Sequence, residues 1–375
     1  MKVKEFFEEL QYDFFAGVPD SLLSSFCDYL MKWKGISDQH IIAANEGNCV
    51  GLAVGHYMAT GRVPIVYLQN SGIGNIVNPV VSLLNEKICR IPCLFFVGWR
   101  GEPGMPDEPQ HRFQGEITQK ILQDIGIITF TIESSVTPEK WREILKDAHE
   151  LLAEKKQVAF IFVKSSIESE KGTSNQNSYK IVRENAISEI VGMAKDDFFV
   201  ATTGKISREL FAVREAMGQK HERDFLTVGA MGHCSSIALG IAMQKPGNRI
   251  WCLDGDGALL MHMGSMAVIG ASSPKNLVHV VFNNEAHESV GGYPTVMGTV
   301  DLRKVAEGMG YQKVYLVDSM EQLQNALVEI CNHKALTLLE IRTAIGSRKD
   351  LGRPTISPED NVKQFMSCLK SSTSK

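Results

Sequence analysis

GDGALLMHMGSMAVIGASSPKNLVHVVFNN runs from Gly255 to Asn284. It follows the apolar run Ile250–Leu253 and ends just past a second one, Leu277–Phe282. Both runs are short, rich in Val, Ile and Phe, and lack polar alternation, as strands do when a parallel sheet is covered on both faces. The segment between them reads as the crossover helix, beginning near Ala258. In such folds ligands sit beyond the carboxyl ends of the strands. The spacing therefore brings Asp256 and Asn284 to one edge although 28 residues separate them.

The same grammar extends outward. Ile65–Leu68, Cys93–Val97, Ile127–Ile132, Val158–Val163, Phe198–Ala201 and Leu336–Ile341 read as further buried strands. Helical patterns such as Gly47–Ala59 and Ser235–Met243 lie between strands, and MKVKEFFEELQYDFF reads as an amphipathic helix. The order predicts an α/β protein of two doubly wound parallel-sheet domains. A polar stretch rich in Ser, Asn and Gly separates them. The expected division is 1–165, a linker over 166–180, and 181–375.

Composition narrows the function. The chain has 375 residues, 44% hydrophobic and 22% charged, with a net charge of −4 and no block of like charge. Nucleic acid is an unsuited partner for such a surface. No apolar run is long enough for a membrane span and the N-terminus does not read as a signal peptide. Eight scattered cysteines without a CxxC pair suggest neither a zinc site nor a disulfide framework, and fit buried thiols in the cytoplasm.

Asp256 offers a carboxylate oxygen and Asn284 an amide oxygen, hard ligands suited to Mg²⁺ shared with phosphate oxygens. The glycines around Asp256 let backbone approach a diphosphate, and the following helix aims its N–H groups there. A lone GDG is usually a turn, and NN alone is weaker. Their joint occurrence after two strands, with 25 residues between, resembles the diphosphate-binding motif of thiamine diphosphate enzymes. That resemblance implies the cofactor thiamine diphosphate, with Mg²⁺ held by Asp256, Asn284 and the carbonyl of Ala286. It implies cofactor contacts at Gly257, Ala258 and Ser289, and at Gly204 and Lys205 in ATTGKISREL. Gly229 and Met231 in LTVGAMGHCSSIALGIA match the positions that bind and prop the pyrimidine end. Core filling is the plainer reading of Met231. The family also needs a glutamate at the pyrimidine ring, and Glu46 of IIAANEGNCVGLAVGHYMATG stands where a strand meets a helix. Without the metal motif Glu46 would read as an N-terminal helix acid.

The chain has no room for the third domain of pyruvate decarboxylases and acetolactate synthases, and its glutamate half comes first, unlike in transketolase-type enzymes. GVPDSLL (17–23), NEGN (45–48), LQNSGIGNIVNP (68–79), GWRGEPGMPDEPQH (98–111), TTGKISREL (202–210), VGAMGHCSSIALGIA (228–242), NNEAHESVGG (283–292) and GSRKDLGRP (346–354) are similar to the phosphonopyruvate decarboxylase family over nearly the whole chain. Tyr293 departs from that pattern, where Gln is expected. The resemblance implies non-oxidative decarboxylation of a small anionic 2-oxo acid by a homo-oligomer, at least a dimer with sites at the subunit interface. His111 and His287 are candidate acid–base groups that could titrate near neutral pH. Arg100, Arg112 and Arg208 are candidate substrate cations, although such residues are more often simply solvated. The loop GEPGMPDEPQ is expected to be mobile. His56, His262 and His279 read as structural. A fused sulfopyruvate decarboxylase is the nearest rival, weighed down by the expectation that its two domains are usually separate chains. A thiamine diphosphate-binding subunit without turnover and a phosphatase using Asp254 and Asp256 are weaker alternatives.

Overall fold

The computed structural model describes residues 2–168 and 176–372. The chain divides into two compact units, Met1–Ser174 and Asn175–Lys375, parting within the stretch read as a linker. Residues 169–175 of that stretch lie outside the described residues.

The first unit carries strands β1 (Phe15–Gly17), β2 (His40–Ile42), β3 (Ile65–Gln69), β4 (Cys93–Gly98), β5 (Ile127–Ile132) and β6 (Gln157–Phe162). They form one wholly parallel sheet in the order β2-β1-β3-β4-β6-β5. The second unit carries β7 (Phe198–Ala201), β8 (Asp224–Leu226), β9 (Ile250–Gly255), β10 (Leu277–Asn283), a small hairpin of β11 (Ala286–His287) and β12 (Tyr293–Pro294), then β13 (Lys313–Val317) and β14 (Thr337–Arg342). Its parallel sheet runs β13-β14-β10-β9-β7-β8. With the hairpin set aside and strands counted within each unit, both sheets have the same order, 2-1-3-4-6-5. Each order reverses between its first and third strands, the point where a crevice opens beyond the strand ends.

All eight strands expected from apolar runs are present. Four others in the two main sheets are missing from the sequence reading for physical reasons. β1, β2 and β8 are three residues each, too short to show a run, and β13 is an edge strand with exposed positions. The expected N-terminal helix also stops early, at Glu9, because Phe15 belongs to a buried central strand. The crossover after β9 is not one helix. It begins at Asp256, breaks after Met261 and resumes at Ser265, with Gly264 at the joint.

Successive strand residues separate to opposite faces, as period two requires. In the second unit Phe199, Trp251, Leu253, Val278 and Val280 join one apolar layer, while Phe198, Val200, Ile250, Cys252 and Val281 join the other. In the first unit Phe6 stacks on Trp141 at 4.6 Å between ring centres and meets Phe96 and Phe162 edge-on. These layers hold the strand ends still, and every expected site residue lies in the loops beyond those ends or in the helices that follow them. No helix among the described residues is long and apolar enough to cross a membrane.

Candidate active site

In the first unit Glu46 is the first residue of the helix Glu46–Thr60, just after β2. Asn45 caps that helix by accepting the Asn48 N–H at 3.0 Å. The cap fixes where the helix starts, and so where Glu46 points. The Glu46 side chain is buried and packs on Gly72, where any Cβ would come within 2.2 Å of Oε1. Its other oxygen, Oε2, accepts from Asn75 Nδ2 at 2.6 Å. Burial pushes the Glu46 carboxyl above the usual range, with the Asn75 hydrogen bond pulling back only in part.

In the same unit Asp20 is fully buried and also pushed up by burial, while it accepts from Gln69 Nε2 and from the Leu22 N–H. Asn70 bridges Arg100 in both directions, donating to its carbonyl at 2.7 Å and accepting its N–H at 3.1 Å. The loop expected to be mobile is fastened at both ends. Asp107 takes Arg100 Nε at 2.8 Å and Nη2 at 2.5 Å, and also the Gly101 and Glu108 N–H groups at 2.8 Å. Gly101 then packs directly on His111 and Gly115, leaving no room for a side chain.

The second unit gathers three loops. In the β9–β10 register Gly255 faces Phe282, so Asp256 and Asn284 leave the sheet at adjacent strand ends. Asp256 is buried, and its Oδ2 accepts from Thr295 Oγ1 at 2.7 Å. Burial raises its carboxyl to about 6, and no cationic side chain offsets this. A Cβ on Gly257 would lie 3.2 Å from the His287 ring and 3.4 Å from Met231 Cε. The GDG turn, the loop of Met231 and the hairpin of His287 therefore meet at one bare patch of backbone. Gly229 and Gly232, with φ of 68° and 89°, give the Met231 loop its left-handed turns. The residues fit a hard divalent ion and a diphosphate: a buried carboxylate lacking a cation, an amide oxygen, and a cradle that a Cβ would fill.

Several sequence expectations need correction. His287 is neutral at pH 7 because burial lowers it to about 4. His111 is also lowered, by burial and by Arg100, and its Nδ1 is buried with no hydrogen-bond partner among the described residues. Burial thus favours the neutral form of both rings. Lys205 does not present a free charge, since its Nζ pairs with Glu288 at 2.8 Å. Arg208 is committed to the carbonyls of Gly352, at 2.7 Å, and Leu351. Arg100 is paired with Asp107. Arg112 is exposed, with a 3.4 Å contact to the Asp107 carbonyl. Ser289 is exposed in a short 3-10 turn. Gly204, with φ of 98°, precedes the helix Lys205–Ala216, and Ala258 and Ala286 are buried beside Asp256 and Asn284 in sequence.

Glu288 was missed. It accepts from Arg183 Nη1 at 2.7 Å and from Asn284 Nδ2 at 2.8 Å as well as from Lys205. Burial alone would raise it, but Arg183 and Lys205 hold it down to about 2. The one signal in the sequence was an acid four residues after Asn284, which pattern alone does not separate from a solvated turn residue. A second buried group lies behind the GDG turn. Cys234 and Cys252 touch at 3.6 Å between sulfurs, and His279 joins Asp254 at 3.3 Å to Tyr311 at 3.0 Å. Asp254 also accepts the Gly255 N–H at 2.9 Å, so this cluster closes on its own hydrogen bonds.

Comparison with known proteins agrees with this geometry. The family description "Thiamine pyrophosphate enzyme, N-terminal TPP binding domain" matches residues 3–122, and "Thiamine pyrophosphate enzyme, C-terminal TPP binding domain" matches residues 203–341. A phosphonopyruvate decarboxylase of Streptomyces viridochromogenes is 31% identical, over 93% of this chain and 89% of the relative. One of Streptomyces hygroscopicus is 30% identical, over 93% and 88%. A sulfopyruvate decarboxylase of Methanosarcina acetivorans is 28% identical, over 98% and 97%. That last relative aligns end to end as one chain, so joined domains do not argue against the sulfonate reading.

The buried Asp256 carries a measurable cost. In the unfolded chain it ionises near 3.8, and in the folded chain near about 6. The folded state thus holds the extra proton between those values, and stability falls as pH rises through them. The penalty at neutral pH is ~3 kcal/mol for a shift of about two pH units. Asp256→Asn is expected to raise the melting temperature of the cofactor-free protein at pH 7, with the gain shrinking towards pH 4. Thermal unfolding from pH 4 to 8 checks this, and a variant less stable than wild type at pH 7 would refute it.

Proposed function

This chain belongs to the phosphonopyruvate decarboxylase family of thiamine pyrophosphate enzymes, and on that premise we propose that it converts 3-phosphonopyruvate to phosphonoacetaldehyde and carbon dioxide with thiamine diphosphate and Mg²⁺. The observation that carries the reading is the convergence of Asp256, Gly257, Met231 and His287 at one strand edge, together with a buried Glu46 in the other unit. A thiamine diphosphate-binding subunit without turnover would have no use for that glutamate. A phosphatase would explain neither Glu46 nor Asn284.

Bound thiamine diphosphate supplies a carbon nucleophile and a sink for the electron pair that departing carbon dioxide leaves behind. The chain supplies the rest. Asp256 and Asn284, with the Ala286 carbonyl, offer oxygens to Mg²⁺. Gly257 and Ala258 bring backbone N–H groups toward the diphosphate. Met231 supports the cofactor beside Gly257. Glu46 keeps a carboxyl that exchanges a proton readily, because burial has raised it and Asn75 fixes one oxygen while the other packs on Gly72. His287, which is neutral, and His111, whose neutral form burial favours, serve as hydrogen-bonding groups. Arg112 is the least committed of the candidate arginines and the best placed to meet an anionic substrate.

The working unit in this reading is at least a homodimer. Each unit of the fold carries half of the chemistry, Glu46 in one and Asp256 with Asn284 in the other. The family resemblance has the halves meet between subunits. The cytoplasm suits a chain whose eight cysteines are all free. A role in phosphonate biosynthesis, leading towards 2-aminoethylphosphonate, follows from the same reading. The alternative substrate is sulfopyruvate, giving sulfoacetaldehyde by the same steps.

Four measurements test this reading. Protein supplied with Mg²⁺ and thiamine diphosphate should release aldehyde from phosphonopyruvate in preference to sulfopyruvate and pyruvate. Preference for sulfopyruvate would select the alternative, and no aldehyde from any of them would end the decarboxylase reading. Glu46→Gln should abolish turnover while leaving cofactor binding, followed by calorimetry, largely intact. Gly72→Ala should cost on the order of 100-fold in kcat by displacing the Glu46 carboxylate. Its φ of −82° is one that alanine adopts, so any fall in melting temperature reports the displaced Glu46 side chain and not backbone strain. Finally, mixing inactive Glu46→Gln with inactive Asp256→Ala should restore roughly a quarter of wild-type activity, since half of the exchanged dimers are mixed and each holds one intact site. No recovery after verified subunit exchange would place both halves of a site in one subunit.

A further inference from the structure

An asparagine that ligates a metal must present the correct end. Its oxygen binds a hard cation and its NH₂ repels one. The Asn284 amide is held at both ends. Its Oδ1 accepts the Ala286 N–H at 3.1 Å, and its Nδ2 donates to Glu288 Oε2 at 2.8 Å. A backbone N–H can only be met by the oxygen and a carboxylate only by the NH₂, so the two contacts agree on one orientation.

Glu288 does not hold Asn284 alone. The same Oε2 accepts from Arg183 Nη1 at 2.7 Å, and Oε1 accepts from Lys205 Nζ at 2.8 Å. Arg183 is gripped from behind by Glu209, at 2.6 and 2.8 Å. The Arg183, Glu209 and Glu288 side chains are 5%, 1% and 9% exposed. The cluster holds two carboxylates and two cations, a balance that leaves no cation for a third carboxylate.

We infer that Glu288 is a positioning residue that orients Asn284 for the metal, ties it to Lys205 at the start of the diphosphate-side helix, and requires an amide in place of a carboxylate at position 284. The inference rests on the reading of Asn284 as a metal ligand. By charge alone Asp would be the stronger ligand for Mg²⁺. Here it would lose the donor that Glu288 needs and would set a negative charge against it in a buried place. Partners of this kind typically account for 10- to 100-fold in metal affinity.

The test is a Mg²⁺ titration by calorimetry at saturating thiamine diphosphate, with the melting temperature of each cofactor-free variant as a folding control. Asn284→Asp is expected to weaken Mg²⁺ at least about 10-fold. Glu288→Gln alone should weaken it too, because the glutamine cannot satisfy Lys205 and Asn284 together. The double variant Asn284→Asp/Glu288→Gln should bind more tightly than Asn284→Asp, since the glutamine NH₂ now donates to the new carboxylate and one charge is removed. A purely structural role would give additive losses and no such rescue. Wild-type affinity in Asn284→Asp, or a double variant no better than Asn284→Asp, overturns the inference. Glu288→Asp, which keeps the charge, stands in if Glu288→Gln does not melt cooperatively, and binding as in wild type by that shortened acid, too short to span Lys205 and Asn284 together, again counts against it. Failure of the wild type to bind Mg²⁺ and thiamine diphosphate would overturn the cofactor reading itself.

Discussion

Removing a carboxylate from water without giving it a cation is the constraint on which this structure turns. A charged group in such a place tends to shift its pKa and neutralise instead. Glu46 and Asp256 are both held this way, each 3% exposed, and each raised by burial. In an ordinary core these would be faults. At the edges of two sheets they are stored demand, since Glu46 readily holds a proton and Asp256 lacks a cation. The two aromatic and aliphatic cores supply the rigidity that keeps both groups from escaping to solvent. Glu288 shows the opposite solution in the second unit, where Arg183 and Lys205 outweigh the cost of its burial. Burial of an acid is thus not the mark of the site. Burial without a cationic partner is what Glu46 and Asp256 share.

Much of this was legible in the sequence because it depends on local pattern. Central parallel strands are covered on both faces and appear as unbroken apolar runs, so β3, β4, β9, β10 and their like were readable. The pairing of GDG with NN fixed two strand ends at once and thereby located Asp256 and Asn284. Glu46 followed from the glutamate that the family resemblance requires, at a strand-to-helix junction, and the helix does begin there. What was not legible depends on contacts distant in sequence. β1, β2 and β8 exist because neighbouring strands complete them, and three residues carry no periodicity of their own. Glu288 is a partner to Arg183, 105 residues away, and nothing near either residue announces the other.

The electrostatic readings failed for the same reason. A histidine in a loop suggests a group that titrates near neutrality, but His287 lies enclosed where only its neutral form is comfortable. Arginine and lysine in glycine-rich loops suggest free cations. Arg100, Arg208 and Lys205 each have a specific acceptor that sequence cannot reveal. The number of cations in the candidate loops was read correctly, but their availability was not. Availability is what bears on the substrate, because a phosphonate carries more charge than a sulfonate and gains more from an uncommitted guanidinium. Near-full-length relatives include both kinds of decarboxylase.

The two units share one strand order and yet surround their buried acids differently. The fold decides only where loops emerge. In the first unit the functional acid follows the second strand and opens a helix, with an amide from Asn75 on one oxygen and bare Gly72 against the other. That leaves one oxygen suited to a proton. In the second unit the acid follows the third strand, takes a hydroxyl from Thr295 on one oxygen, and faces the amide-bearing end of the fourth strand. That arrangement offers oxygens from two adjacent strand ends to a cation. Function therefore resides in the neighbours that each loop gives its carboxylate, not in the sheet they share. It follows that substitutions which spare Glu46, Asp256 and Asn284 but alter Gly72, Asn75, Thr295 or Glu288 act on the same chemistry at one remove.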